Sequence, residues 1–326
     1  MTESAQMCAV RGSIRQNGSV RPDTGLPAAV QVESLPAALG SPGLTQGAYG
    51  DAGNLELVLP AAAGGFWCLW FNADPVDHRK GAVRHNWSRP LHVPGFYCTS
   101  ARIAQSVSGP RFLEAVTVAD GALWRQHWTP DDGFVDDGVI TVDGAALSGI
   151  ATSSALVEHG DSMHLLAVGE DGRLLHLRAG IGDYPALRWS VTELGTSTSD
   201  VELVRTGGAL VATVLDTEGT AHVRRYDAHG GQWHQTARYA RSWKCATTTS
   251  LGIIGLDRSG HVLMVDVEGV HELWPHLAAT EMAAYATTLA GGRFDVVLRV
   301  GSDLLHGYGR GSEWTEPTRI VSRTWS

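Results

Sequence analysis

Apolar residues recur along this chain in short runs separated by small polar turns, and the pattern repeats. A run ends in a tight turn, a second run follows, and a tryptophan closes the unit. The turns are Ala119-Asp120-Gly121, Glu170-Asp171-Gly172, Thr217-Glu218-Gly219 and Arg258-Ser259-Gly260, and the closing tryptophans include Trp87, Trp189, Trp233, Trp274 and Trp314. A strand-turn-strand unit with a period of roughly 45 residues predicts a β-propeller, because one blade cannot bury its own faces and must stack on neighbours.

The segment 196–240 gives the clearest blade. Period-2 alternation predicts strands from Asp200 to Arg205, Ala209 to Leu215, Ala221 to Tyr226 and Gln232 to Arg238, running from the axis outwards. The second of these is almost wholly apolar, as expected of a strand covered on both faces. Its counterparts are Leu55 to Leu59, Leu113 to Val118, His164 to Val168, Gly252 to Leu256 and Phe294 to Arg299. This places six recognisable blades between residues 41 and 322. The stretch 1–40 holds two more candidate strands, Met7 to Arg15 and Ala28 to Ser34. An open terminal edge would be left unpaired, so these strands and the run Ile320 to Trp325 are expected to share a seventh, closing blade. The predicted fold is thus all-β, a seven-bladed propeller of four-stranded antiparallel blades forming one domain over 1–326, with a six-bladed ring carrying an N-terminal extension as the alternative.

Composition narrows the partners. The net charge of −9 gives no attraction to a phosphate backbone or an anionic membrane, so neither nucleic acid nor a bilayer is the expected partner. The opening residues Met1 to Gln6 lack the basic start and apolar core of a signal peptide, and the expected compartment is the cytoplasm. Cys8, Cys68, Cys98 and Cys245 form no Cys-x-x-Cys pair and read as small buried hydrophobes.

One stretch resembles a known family. Ser41-Pro42-Gly43-Leu44-Thr45-Gln46-Gly47, then Gly53-Asn54-Leu55-Glu56-Leu57-Val58-Leu59-Pro60 and Gly64-Gly65, is similar to the opening blade of bacterial seven-bladed propellers related to the PLL-like and tectonin-like lectins. The resemblance covers about 30 residues of text, and periodicity alone carries the remaining blades. It implies a lectin-like fold and, by analogy, sugar binding. The segment Phe66-Trp67-Cys68-Leu69-Trp70-Phe71-Asn72 departs from the family's Tyr-Trp-Arg text. The blades also differ strongly from one another, unlike the near-copies of a multivalent lectin.

Two groups of residues could carry chemistry. The run from Asp74 to Asn86 predicts a long charged loop in which His78 and His85 are candidate general acids or bases; a solvated surface loop is the competing reading. Aligning the innermost strands brings Gln46, Gln105, Arg102, Glu202, Lys244, Glu281 and Tyr285 towards the axial channel. There Lys244, Glu281 and Tyr285 could act as electrophile, base and acid in a proton transfer, against a water-filled channel whose polar walls bind one another. Trp67, Trp70 and Trp243 fall outside the closing position and are candidate ligand contacts. The turn-rich run Asp131 to Gly138 lacks the alternating ligands of a calcium loop, and the 14 histidines include no His-Glu-x-x-His pair, so no metal is expected. Nucleotide-binding glycines are missing as well, so no cofactor is expected.

Three functions compete on this reading. The leading one is a single-pocket enzyme of specialised metabolism doing cofactor-free acid/base chemistry on a small molecule, a cyclisation, elimination or hydration. The first alternative is a carbohydrate-binding lectin, and the second is a protein-interaction scaffold.

Overall fold

A strand that is apolar on both faces needs a neighbour on each side, and the computed structural model supplies one at every blade. It describes residues 30–32, 40–49, 52–72, 87–105, 113–129, 131–250, 252–287, 293–310 and 313–320. Six antiparallel blades follow one another in chain order. The first runs from the axis outwards through Gly43–Tyr49, Ala52–Pro60, Phe66–Asn72 and Leu91–Val93, with Val30–Gln31 added at its outer edge. The second has Ser100–Gln105, Leu113–Ala119, Ala122–Thr129 and Gly133–Val139, and a small hairpin of Thr141–Val142 with Ala145–Ala146 leads on from it. The third has Ile150–His159, Ser162–Gly169, Leu174–Gly180 and Trp189–Gly195, and the fourth Thr198–Thr206, Ala209–Asp216, Ala221–Asp227 and Gln232–Tyr239. The fifth has Trp243–Thr248, Ile253–Asp257, Val262–Val265 and Val270–Leu273. The sixth has Glu281–Thr287, Arg293–Val300 and Asp303–Arg310, bordered by both Glu313–Trp314 and Thr318–Arg319.

Every seam between blades is an apolar core. Val58, Cys68, Ile103 and Ala115 fill the first seam, between blades one and two. Val116, Leu123, Leu156 and Leu165 fill the next, and Leu166, Leu203 and Ala212 the third. Leu215, Trp243 and Ile253 join blades four and five, and Ile254, Met282 and Val296 join five and six. Leu55, Leu57 and Leu69 of the first blade then meet Ala283 and Val297 of the sixth, which closes the ring. Alternation along the strands sends odd and even positions to opposite seams, so Leu55, Leu57 and Leu59 face the sixth blade while Val58 faces the second.

A backbone clasp repeats at the seams. The turn joining second to third strand ends in a glycine in the left-handed region, at φ 69° for Gly121, 79° for Gly172, 85° for Gly219 and 90° for Gly260. Its carbonyl accepts the amide at the start of the next blade: Gly121 from Ile150 at 2.9 Å, Gly172 from Thr198 at 3.0 Å, Gly219 from Trp243 at 2.9 Å and Gly260 from Ala279 at 2.9 Å. Aspartates set up two of these turns. Asp216 Oδ1 accepts the amides of Glu218 and Thr220, and Asp257 Oδ1 those of Ser259 and His261.

The ring therefore has six blades rather than the expected seven. Val30–Gln31 pairs with Leu91–Val93 of the first blade, and Thr318–Arg319 pairs with the third strand of the sixth, so the two ends share no sheet among the described residues. The reason is that the first and sixth blades already bury each other, with Ser41 Oγ donating to Glu281 Oε2 at 2.6 Å and Arg299 Nη2 to the Gly40 carbonyl at 3.0 Å across the seam. The segment Met7 to Arg15 and the run beyond Ile320 lie outside the described residues.

Substitution at the clasp should destabilise the ring. A Cβ on Gly219 would lie 2.8 Å from the Trp243 carbonyl oxygen, whereas one on Gly207, also at positive φ, would meet nothing within 4 Å. Gly207→Ala is expected to cost about 1–2 kcal/mol for its left-handed backbone, and Gly219→Ala clearly more. Equilibrium denaturation of the two variants measures the difference; equal costs would show that the clasp tolerates a side chain.

Candidate functional site

Three places gather polar side chains. The first is one mouth of the axial channel, where the innermost strands begin. Lys244 Nζ lies 3.2 Å from Glu281 Oε1 and also donates to the Thr280 carbonyl, and Glu281 accepts from Ser41. The pair is part of the closure between blades, and the Lys244 side chain is 43% exposed.

Farther along the axis, Arg102 Nη2 stands 3.9 Å from Glu202 Oε2. Burial pushes the Glu202 carboxyl up to about 7, against the pull of Arg102 and with the help of nearby Asp200. Beyond them lies a small polar cavity lined by Thr45, Gln46, Gln105, Glu158, Arg205 and Tyr285. As bounded by the described residues its volume is ≈ 20 Å³, room for about one water. Burial raises the Tyr285 phenol above its usual range, with Arg205 opposing. Tyr285 is four residues beyond Glu281 on one strand, so at strand rise the two lie about 13 Å apart. Lys244 and Glu281 come together as expected; Tyr285 does not join them. Gln46 and Gln105 line the cavity, and Arg102 meets Glu202.

The tryptophan candidates divide. Trp243 is 1% exposed, and its indole covers Gly255 so closely that a Cβ there would lie 2.6 Å from Cε3. Trp67 packs in the seam between blades one and six with its ring 4.8 Å from that of His92. Both are packing residues rather than ligand contacts, because odd positions of their strands face apolar seams. Trp70 is half-buried and faces the second blade. His78 and His85 lie outside the described residues.

The third place was not anticipated. On the second strands, Glu56, Glu114, His164 and Asp295 pair in register with Thr45, Ala104, Val157 and Tyr285, all of which line the axial cavity. They therefore occupy one level of the ring, each turned towards the following seam. At that level the fourth and fifth blades carry Val211 and Ile254. Four seams thus hold an ionisable group among apolar walls.

Each of the four is surrounded differently. Glu114 is buried and takes a two-pronged pair from Arg125, whose Nη2 reaches Oε2 at 3.1 Å. Arg125 also reaches Asp137 at 3.2 Å and lies 5.6 Å from the centre of the Tyr184 ring, while His127 bonds Asp137 at 2.7 Å. Burial lifts the Glu114 carboxyl to about 7 despite Arg125. Asp295 is held by Arg293 at 3.0 Å and His306 at 2.9 Å, and the His306 ring meets Phe71 and Trp87 edge-on at 4.7 and 5.3 Å. In the seam between blades three and four, Trp233 Nε1 donates to His176 Nδ1 at 3.3 Å, so His176 Nε2 carries the proton that it donates to His164 Nδ1 at 3.0 Å. Tyr226 packs edge-on against both imidazoles.

Glu56 is the exception. It is fully buried, neither carboxyl oxygen has a hydrogen-bond partner, and burial raises it well above the usual carboxylate range. Its register partner on the third strand is Trp70, and Trp128 and Phe134 of the second blade face it across the seam. The Trp128 indole N–H likewise has no partner. A buried carboxyl that no donor satisfies is costly to keep. The sequence signal was available: each of the four is the charged or histidine residue inside an otherwise apolar second strand.

The sequence matches no family model and no curated protein. The fold matches solved structures. AofleA from Arthrobotrys oligospora is 12% identical with a TM-score of 0.63, covering 91% of this chain and 90% of that one. The fucose-specific lectin from Aleuria aurantia is 9% identical with a TM-score of 0.61, covering 88% and 99%. SapL1 lectin, solved with alpha methyl fucoside, is 14% identical with a TM-score of 0.56, covering 88% and 98%. The Aleuria aurantia protein is described as a six-bladed β-propeller, in agreement with the blade count here. A lectin-like propeller stands; the seven-bladed PLL-like form does not. These neighbours are lectins, which overturns the expectation of a cyclase or lyase.

The histidine pair predicts a pH dependence. Burial holds His164 down to about 3 and His176 to about 4, below the usual 6.5, so both are neutral in the fold. Neighbouring Arg178 and His159 add to the shift at His164, and Asp161 opposes it. The unfolded chain binds these protons first, so their contribution is complete above pH 6.5 and is lost as pH falls towards 4, at up to about 1.4 kcal/mol per pH unit for each histidine. Thermal melting from pH 7 to 4 should show this slope, and the His164→Phe, His176→Phe double variant should flatten it. An unchanged slope would place the acid sensitivity elsewhere.

Proposed function

We propose that this protein binds carbohydrate in its inter-blade seams, foremost in the seam between the first and second blades. The observation that carries the reading is Glu56: a buried carboxyl with both oxygens unbonded, walled by Trp70, Trp128 and Phe134. Sugar hydroxyls supply the missing donors, and the indole N–H of Trp128 finds an acceptor in the same ring of hydroxyls. The aromatic walls suit the C–H faces of a pyranose. Support comes also from the fold, since the neighbours are described as fucose-specific or were solved with a fucoside.

The other three polar seams differ in chemistry from this one, and two seams carry Val211 and Ile254 at the same level. The reading is therefore of non-equivalent sites, with the Glu56 seam leading, rather than six copies of one sugar site. In the other three the ionisable groups already bond one another, so a ligand would have to displace those contacts.

Calorimetric titration with methyl α-fucoside and a panel of methyl pyranosides tests the proposal. At least one should bind, and Glu56→Gln should weaken it about tenfold, the scale of one charge-assisted hydrogen bond, with Trp70→Ala weakening it similarly. Binding that is unchanged in both variants would remove the first seam from consideration, and no binding by any pyranoside would overturn the carbohydrate reading.

A further inference from the structure

Above the first seam, the connection from the first blade to the second displays two aromatic side chains to solvent. Phe96 is 47% and Tyr97 60% exposed, in a chain whose other exposed large hydrophobic residues, among those described, are Val191, Val267 and Val270 on the third and fifth blades. Their backbone is tied down. The Gly65 amide donates to the Phe96 carbonyl at 2.8 Å, Cys98 Sγ donates to the Gly65 carbonyl at 3.2 Å, and Gln126 Nε2 donates to the Pro94 carbonyl at 2.9 Å. The close approach requires the paired glycines, since a Cβ on Gly65 would lie 2.0 Å from the Val93 carbonyl oxygen and one on Gly64 2.7 Å from that of Gly95.

Beneath the display, the Trp124 ring packs 4.2 Å from that of Phe96 at a tilt of 41°. Trp124 and Gln126 alternate along one strand and face the first blade, as Trp128 does. Trp124 Nε1 and Gln126 Oε1 are buried without hydrogen-bond partners. So a rigid pair of exposed rings stands over one unmet donor and one unmet acceptor. Fixing aromatic side chains on an anchored loop lowers the entropic cost of ligand contact.

We propose that Phe96 and Tyr97 form a second carbohydrate-binding platform, distinct from the Glu56 seam, on which the apolar face of a pyranose ring stacks while its hydroxyls meet Trp124 Nε1 and Gln126 Oε1. This rests on the carbohydrate reading. The size of the patch selects the occupant. Two side chains expose far less area than a stable protein interface needs, and no other exposed large hydrophobic residue described extends it. A flat amphipathic ring bearing both donors and acceptors fits the two rings and the two unmet groups together.

The test is a titration of the full-length protein with the same methyl pyranosides, followed by heat and by tryptophan fluorescence, in wild type, Glu56→Gln and the double variant Phe96→Ala, Tyr97→Ala. The platform is expected to give a fluorescence-detected binding phase that Glu56→Gln retains and the double variant loses or weakens about tenfold, the scale of an aromatic contact. Phe96→Trp should restore it in the Tyr97-containing chain, while the melting temperature of the double variant stays near wild type because both side chains are exposed. Loss of every phase in Glu56→Gln, with the double variant binding as wild type, overturns the platform and leaves the seam. Absence of binding by any pyranoside to wild type overturns both.

Discussion

The structure depends on burial of two-sided strands. A second strand such as Ala209–Asp216 is buried along nearly its whole length, with Ala212 and Val214 facing the third blade and Leu215 the fifth. No single blade can satisfy that demand, and only a ring does so for every blade at once. Directional bonds then fix what burial drives. The turn glycines of four blades hand a carbonyl to the next blade's first amide, so apolar packing sets the spacing of the blades and the clasp sets their height. Hydrophobic attraction alone is non-directional and would not align them.

That alignment is what makes a ring of sites available. Because Glu56, Glu114, His164 and Asp295 sit level with the axial cavity, a substitution at this height on any second strand places a new group in an equivalent seam. Three of the four have acquired protein partners: an arginine, a histidine relay, or an arginine with a histidine. Glu56 has not, and its isolation distinguishes it from groups that serve only to hold blades together.

Much of the fold was legible because burial on both faces leaves continuous apolar text. Each expected second strand lies inside an observed one, from Leu55 to Leu59 within Ala52–Pro60 to Phe294 to Arg299 within Arg293–Val300. The tryptophans Trp87, Trp189 and Trp274 pack in seams, as their recurrence implied. The blade count was not legible, because exposed strand edges argue for a shared closing blade and sequence gives no measure of how well the first and sixth blades cover each other. The site was half legible. Aligned innermost strands led to Gln46, Gln105, Arg102 and Glu202 on the axis, but alignment cannot show that the channel there narrows to about the size of a water. Glu56 was quoted within the family-like text Asn54-Leu55-Glu56-Leu57 and passed over, since a charge between leucines reads as the solvent face of a strand until a second blade is known to cover it.

The closing seam has a consequence of its own. The four main strands of each blade come from one uninterrupted stretch of chain, and the join between the sixth and first is made by side-chain burial, one hydroxyl–carboxylate bond and one arginine. No blade is assembled from both ends of the described chain, so a gene segment encoding one blade is also one structural module. Duplication, loss or exchange of such a segment leaves every remaining sheet intact and asks only that two new apolar faces fit. A ring built this way can diversify blade by blade, and the unlike chemistry of its seams is the form that such a history would take.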